Sequence, residues 1–143
     1  MARETFRVLH VEDDEQVAAS VRMLLAPLGY EVFGAADGNE AIARIVSDRL
    51  IPDVLIMDVR LPGEFDGIDV AQEVCRLLGH VVPTILLSGD LASAGTPWLP
   101  GAPLISLWKP VEPETLVSVV EAFCRLGRKI RSRANVGLGV LAE

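Results

Sequence analysis

Cysteine is scarce in this chain of 143 residues: only Cys75 and Cys124 occur, far apart and without a CxxC or a cluster of histidines. That excludes a zinc finger and a disulfide scaffold and suits a reducing compartment. Two buried, inert thiols are expected. Long apolar runs are also missing, since none approaches the ~18 residues that span a bilayer. The first apolar stretch, Phe6 to Val11, is interrupted by His10 and then meets Glu12-Asp13-Asp14-Glu15, unlike a secretory leader. A cytoplasmic protein without a membrane partner is the expectation. Only 23% of the residues are charged and 50% are hydrophobic, which excludes disorder. A single domain of this size hides roughly 70% of its unfolded surface and needs no structural metal to fold. Basic residues are few until the end of the chain. Residues 1–124 carry 19 acids and 8 bases, whereas 125–143 hold Arg125, Arg128, Lys129, Arg131 and Arg133 against Glu143 alone. The acidic body argues against direct DNA binding. The basic stretch is expected to be solvated and favourable to a helix dipole.

Short apolar runs rich in β-branched residues alternate with segments of helical period. The runs are Phe6–Val11, Glu31–Ala35, Val54–Met57, Thr84–Leu87 and Leu104–Leu107. Between the first two, Val17, Val21, Leu24, Leu25 and Leu28 share one helix face that Pro27-Leu28-Gly29 closes. Ala41, Ile42, Ile45 and Val46 mark a second helix. Ile68, Ala71, Val74, Cys75 and Leu78 mark a third, with Asp66 as N-cap. Leu116, Val119, Val120 and Phe123 mark a last one that opens at Glu112-Pro113-Glu114. Between Ser88 and Pro103, three glycines and three prolines leave room for a turn or two of helix at most. The stretch Ala134–Glu143 looks like a linker. Strands alternating with helices predict a parallel sheet covered on both faces and joined by right-handed crossovers. Strands buried on both faces explain the near-continuous apolar runs.

In such folds ligands bind beyond the carboxyl ends of the strands. Those ends carry Glu12-Asp13-Asp14, Asp58, Ser88 and Lys109-Pro110. Asp14 is expected to cap the first helix. Carboxylates ~4 Å apart repel by about 4 kcal/mol per pair at an effective dielectric near 20. A divalent cation relieves this, and oxygen ligands without histidine or thiolate favour Mg²⁺. A lysine and a serine beside such a cluster can hold a phosphoryl group, the ammonium countering its charge and the hydroxyl bonding one oxygen. Asp58 could then serve as nucleophile and form an acyl phosphate. His10 and His80 are expected to be core or surface residues rather than phosphate carriers.

The sequence resembles the receiver domain of two-component response regulators over residues 6–126. The resemblance rests on Val8-Leu9-His10-Val11-Glu12-Asp13-Asp14 and on Pro52-Asp53-Val54-Leu55-Ile56-Met57-Asp58 with Leu61-Pro62-Gly63 and Asp66-Gly67. It continues in Pro83-Thr84-Ile85-Leu86-Leu87-Ser88-Gly89 and Lys109-Pro110. It implies a three-layer, doubly wound (βα)5 fold of the flavodoxin or CheY-like type, with strand order 2-1-3-4-5. By the same resemblance Asp58 is the phosphoacceptor, Ser88 the switch hydroxyl and Lys109 the phosphate-contacting lysine. Mg²⁺ would be held by Glu12, Asp13, Asp58 and the backbone carbonyl of Arg60. The implied partners are a sensor histidine kinase or a histidine phosphotransfer protein, with a downstream target protein or a homodimer as output. Any activity is limited to self-phosphorylation from a phosphodonor and autodephosphorylation. Residues 1–126 then form the receiver and 127–143 a basic extension, either a helix end or a flexible tail.

The chain departs from that pattern in three places. The loop Pro62-Gly63-Glu64-Phe65-Asp66-Gly67 is one residue longer than usual. The fourth helix is expected to be short or irregular. The aromatic switch three residues before the lysine is replaced by Ser106. Trp108 lies on the same side of its strand as Ser106 by the period of two and is expected to supply an aromatic surface there. Arg60 and Asp90, each two residues after a site residue, could shield a phosphoryl group from water. Two other classes fit less well. A haloacid-dehalogenase-like phosphatase needs a second Asp two residues after the nucleophile, and Asp58-Val59-Arg60 has none. A phosphorylation-independent binding module would usually have lost an acid or the lysine, and this chain keeps both.

Overall fold

The computed structural model describes residues 5–63, 65–89 and 102–142, with side chains as far as Ala134. Five strands form one parallel sheet: β1 (Arg7–Val11), β2 (Glu31–Ala35), β3 (Val54–Asp58), β4 (Thr84–Ser88) and β5 (Leu104–Trp108). Their order across the sheet is β2-β1-β3-β4-β5, as the sequence predicts. Among the described residues there are four α-helices: α1 (Glu15–Leu25), α2 (Gly38–Val46), α3 (Gly67–Leu78) and α4 (Pro113–Ala142). None is long and apolar enough to cross a membrane. The expected irregular fourth helix between Ser88 and Pro103 falls on positions 90–101, outside the described residues.

Alternation along the central strands divides the core into two layers. Leu9 and Val11 of β1, with Leu55 and Met57 of β3, face α2 and α3. Phe6 and Val8, with Val54 and Ile56, face α1 and α4 and meet Val21, Leu25, Leu116 and Val120. The helix starts follow the local chemistry. The Asp14 carboxylate accepts from the backbone N–H groups of Gln16 and Val17, and Asp37 caps α2 through Glu40 N. At α3, Asp66 and Asp69 exchange side-chain-to-backbone hydrogen bonds in a capping box. After α1 a 3₁₀ turn over Ala26–Leu28 ends at Gly29, whose φ of 99° favours glycine.

Two expectations about the C-terminal region need correction. Ala134–Ala142 continues α4 and is not a linker. Arg128 and Arg131 are not merely solvated partners of a helix dipole. The Arg128 guanidinium grips the Asp53 carboxylate with both arms at 3.0 Å, donates to the Thr5 carbonyl at 2.7 Å and lies 4.8 Å over the Phe6 ring. Arg131 Nη1 stands 3.6 Å from Asp53 Oδ1 and donates to the Ile51 carbonyl. The Asp53 side chain is fully buried, and its Oδ2 also accepts from Arg7 N at 2.8 Å. Close approach is possible because position 127 is glycine: a Cβ there would sit 1.9 Å from the Asp53 carbonyl oxygen. The thiols also differ from expectation in part. Cys124 is buried, whereas Cys75 is half-buried and accepts a hydrogen bond from Val82 N. Burial, then the charge of Asp53, pushes the Cys124 thiol up to about 12.

Candidate functional site

The parallel register brings the carboxyl ends of the strands to one edge, and backbone bonds beyond the strands hold the next residues in place. Glu12 N donates to the Ala35 carbonyl at 2.9 Å, Val59 N to Leu87 at 3.1 Å and Lys109 N to Ser88 at 2.8 Å. These bonds bracket Glu12, Asp58 and Lys109. The Lys109–Pro110 peptide is cis.

The Lys109 ammonium reaches Asp58 Oδ2 at 2.5 Å and stands 3.6 Å from Glu12 Oε1. The other Asp58 oxygen accepts from the Arg60 backbone N–H at 3.0 Å. Oxygens of Glu12, Asp13 and Asp58 all lie within 4.8 Å of one another. Glu12 is buried, Asp58 is half-buried and Asp13 is exposed, so the cluster opens to solvent on one side. Asp58, Arg60, Ser88 and Lys109 line a cavity of about 270 Å³ with Val59 and Gly89. That space can hold a phosphoryl group and a few waters.

Burial favours the neutral form of Lys109, but the hydrogen bond and charge of Asp58, backed by Glu12, outweigh it and raise its pKa above the usual lysine range. Burial also raises the Glu12 carboxyl; Lys109 opposes the rise, while the Asp58 charge and a hydrogen bond with Asp13 add to it. Lys109 therefore faces two carboxylates of a cluster of three. Glu12 Oε1 is moreover a buried oxygen with no hydrogen-bond partner among the described residues. An oxygen-only donor set with an excess of negative charge and an unsatisfied buried oxygen fits a hard divalent cation.

The carboxylates, Ser88 and Lys109 thus come together as the sequence predicts. Trp108 is 49% exposed, on the same side of β5 as the exposed Ser106 and paired in register with Ser88. Asp90 lies outside the described residues. His10 is 2% exposed and its Nε2 has no hydrogen-bond partner among the described residues. Burial, helped by the charges of Lys109 and Arg22 and opposed by Asp58, lowers its pKa to about 4. Sequence reasoning missed the part played by Gly67. A Cβ at that position would fall 2.4 Å from the Asp58 carbonyl oxygen, and Gly67 N donates to the Val59 carbonyl at 3.1 Å. The start of α3 therefore rests on the backbone of the acceptor strand. In the sequence Asp66 reads as a helix cap and Asp66-Gly67 as part of the receiver pattern, and neither signals this close approach.

Residues 8–121 match the response regulator receiver domain family. Response regulator MprA of Mycobacterium avium is 37% identical over 120 residues, covering 83% of this chain and 51% of that protein. MprA of Mycobacterium tuberculosis is likewise 37% identical over 120 residues. The chain spans about half the length of these curated relatives. Among solved structures, a response regulator from Chloroflexus aurantiacus superposes with a TM-score of 0.71 at 34% identity, covering 85% of this chain and 99% of that one. The receiver domain of the hybrid histidine kinase CckA gives 0.67 at 33% identity, covering 82% and 98%. With the strand order and the acidic edge in agreement, the chain belongs to the family of response regulator receiver domains of two-component signalling.

Proposed function

We propose that Asp58 accepts a phosphoryl group from the phosphohistidine of a sensor histidine kinase or a histidine phosphotransfer protein. The observation that carries this reading is the Asp58 carboxylate bonded to Lys109 at 2.5 Å beside Glu12 and Asp13, at the wall of a cavity shared with Ser88. An Asp58 oxygen attacks phosphorus, the P–N bond of the donor breaks, and the imidazole leaves with the electron pair. Lys109 neutralises charge on the incoming group and, released from Asp58, pairs with a phosphoryl oxygen. The Ser88 hydroxyl bonds another oxygen. Mg²⁺, held by Glu12, Asp13, Asp58 and the Arg60 carbonyl, would offset the repulsion between carboxylate and phosphoryl group.

The receiver comprises residues 1–126, with 127–143 as an extension fastened through Arg128 and Arg131. The protein works in the cytoplasm, and this acidic receiver signals through a changed surface that includes Trp108 rather than by contacting DNA. Arg60, at the mouth of the cavity, shields the acyl phosphate from water, and Asp90 joins it in that role.

Incubation with acetyl phosphate and Mg²⁺ followed by intact-mass measurement tests the reading. One added phosphoryl group is expected, absent without Mg²⁺ and absent in Asp58→Asn. A wild-type mass that stays unchanged, in a chain that also ignores Mg²⁺ and beryllofluoride, would point to a phosphorylation-independent binding module.

A further inference from the structure

A second concavity, of about 590 Å³, lies between α2 and α3, away from Lys109. Its apolar wall is Ile42, Val70 and Phe65, and its rim carries Asp69 and Glu73. Phe65 is 54% exposed, an expensive position for an aromatic side chain, in a loop one residue longer than is usual for the family. The helices that frame the groove are tightly joined, because a Cβ at Gly38 would fall 2.8 Å from Val70 Cγ2. Asp37, Glu40 and Asp66 at the starts of α2 and α3 add negative charge around the groove. Arg76, the one base among the lining residues, pairs with Glu73, so the lining's net negative charge is that of Asp69.

The complementary surface is on the same chain. The side of α4 turned away from the sheet presents Ala122, Leu126, Lys129 and Arg133, all exposed and spaced at i, i+4, i+7 and i+11. Leu126 is 37% exposed. Arg128 and Arg131 are turned the other way, onto Asp53. An apolar anchor followed by two cations on one helix face matches an apolar slot with an acidic rim. The charge division of the whole chain, 19 acids and 8 bases in residues 1–124 against five bases and one acid beyond, has the same polarity. The groove and the α4 stripe are different patches of one molecule, so they pair between copies as a heterologous contact.

We propose that the α2–α3 groove receives the Ala122–Arg133 face of α4 from a second copy of this chain, Leu126 covering Phe65 and Ile42 while Lys129 and Arg133 face Asp69 and Glu73. The contact is independent of the phosphoacceptor reading, since neither patch contains Asp58, Ser88 or Lys109. A single helix face in a single groove is a small contact beside the roughly 800 Å² per partner of stable complexes, so a weak association is expected.

Sedimentation equilibrium of the full chain tests it with two variants at exposed positions, Phe65→Ala and the double variant Lys129→Glu/Arg133→Glu, each checked for native circular dichroism. The wild-type average mass is expected to rise with concentration and to fall back when salt is raised to about 1 M, where the Debye length is ~3 Å. Each variant alone is expected to be monomeric. Mixed together they are expected to form a one-to-one pair, because one keeps the groove and the other keeps the helix face. A wild type that stays monomeric up to about 1 mM, where even millimolar affinity would show, overturns the proposal. So does association that survives either variant, or a mixture that fails to pair.

Discussion

Removing Arg128 is expected to be among the most damaging single changes outside the phosphoacceptor site. In Arg128→Ala the fully buried Asp53 carboxylate loses two hydrogen bonds of 3.0 Å, and the Thr5 carbonyl and the Phe6 ring lose their cation. Among the described residues, Asp53 then keeps Arg7 N and the longer approach of Arg131. Breaking a buried pair by deleting one partner costs about 3–5 kcal/mol, since it leaves an uncompensated charge. A domain has about 5–15 kcal/mol in total, so the variant should lose at least about a fifth of its stability. Urea unfolding followed by circular dichroism and by tryptophan fluorescence measures this, the two probes checking two-state behaviour. Lysine cannot reproduce the two-armed grip, so Arg128→Lys should recover only part of the loss. In a double-mutant cycle, Asp53→Asn with Arg128→Ala should cost much less than the sum of the single changes. A loss below about 1 kcal/mol for Arg128→Ala, the size of a surface pair, would refute the claim that this pair fastens α4 to the sheet.

Four further outcomes follow from the geometry. The fall of the His10 pKa from 6.5 to about 4 means that between these values the unfolded chain binds a proton the folded chain does not. Stability is therefore full above pH ~6.5 and falls toward pH ~4 by about 3 kcal/mol; acid unfolding of His10→Leu should lack that component, and an unchanged profile would contradict it. Gly67→Ala, forced against the Asp58 carbonyl oxygen, should slow acetyl phosphate modification at least tenfold in stopped time courses, and a wild-type rate would show that α3 gives way freely. Arg60→Ala should lose its phosphoryl group several-fold faster than wild type in a decay assay, whereas equal lifetimes would remove the shielding role. In a Trp98→Phe background, beryllofluoride with Mg²⁺ should shift the emission of Trp108, which pairs with Ser88 across the sheet; an unchanged spectrum while binding to a partner is altered would show that the surface change lies elsewhere.

What the sequence revealed was what its local patterns encode. Each strand was predicted to within one residue, because runs such as Val54–Met57 are buried on both faces and carry no competing helical period. The Asp14 and Asp66 caps were legible for the same reason: a cap acts over three residues. The acidic edge was legible because parallel strands deliver their ends to one side. The Asp53–Arg128 pair spans 75 positions, and nothing local distinguishes Arg128 from Lys129, one turned inward and the other outward. Gly127 and Gly67 gave no signal of close backbone contact, since a glycine is as easily a flexible point. Gly137 and Gly139 made the end of α4 look like a linker, although the helix runs through them to Ala142.

The central claim is that Asp58 itself carries the phosphoryl group. Borohydride reduces an acyl phosphate and converts the aspartate that held it to homoserine, so trapping after incubation with acetyl phosphate and Mg²⁺, followed by peptide mass mapping, reports the position directly. The account predicts homoserine at position 58 alone, dependent on Mg²⁺. Homoserine at position 13 or elsewhere, or none in a chain whose intact mass shows the added group, would contradict it.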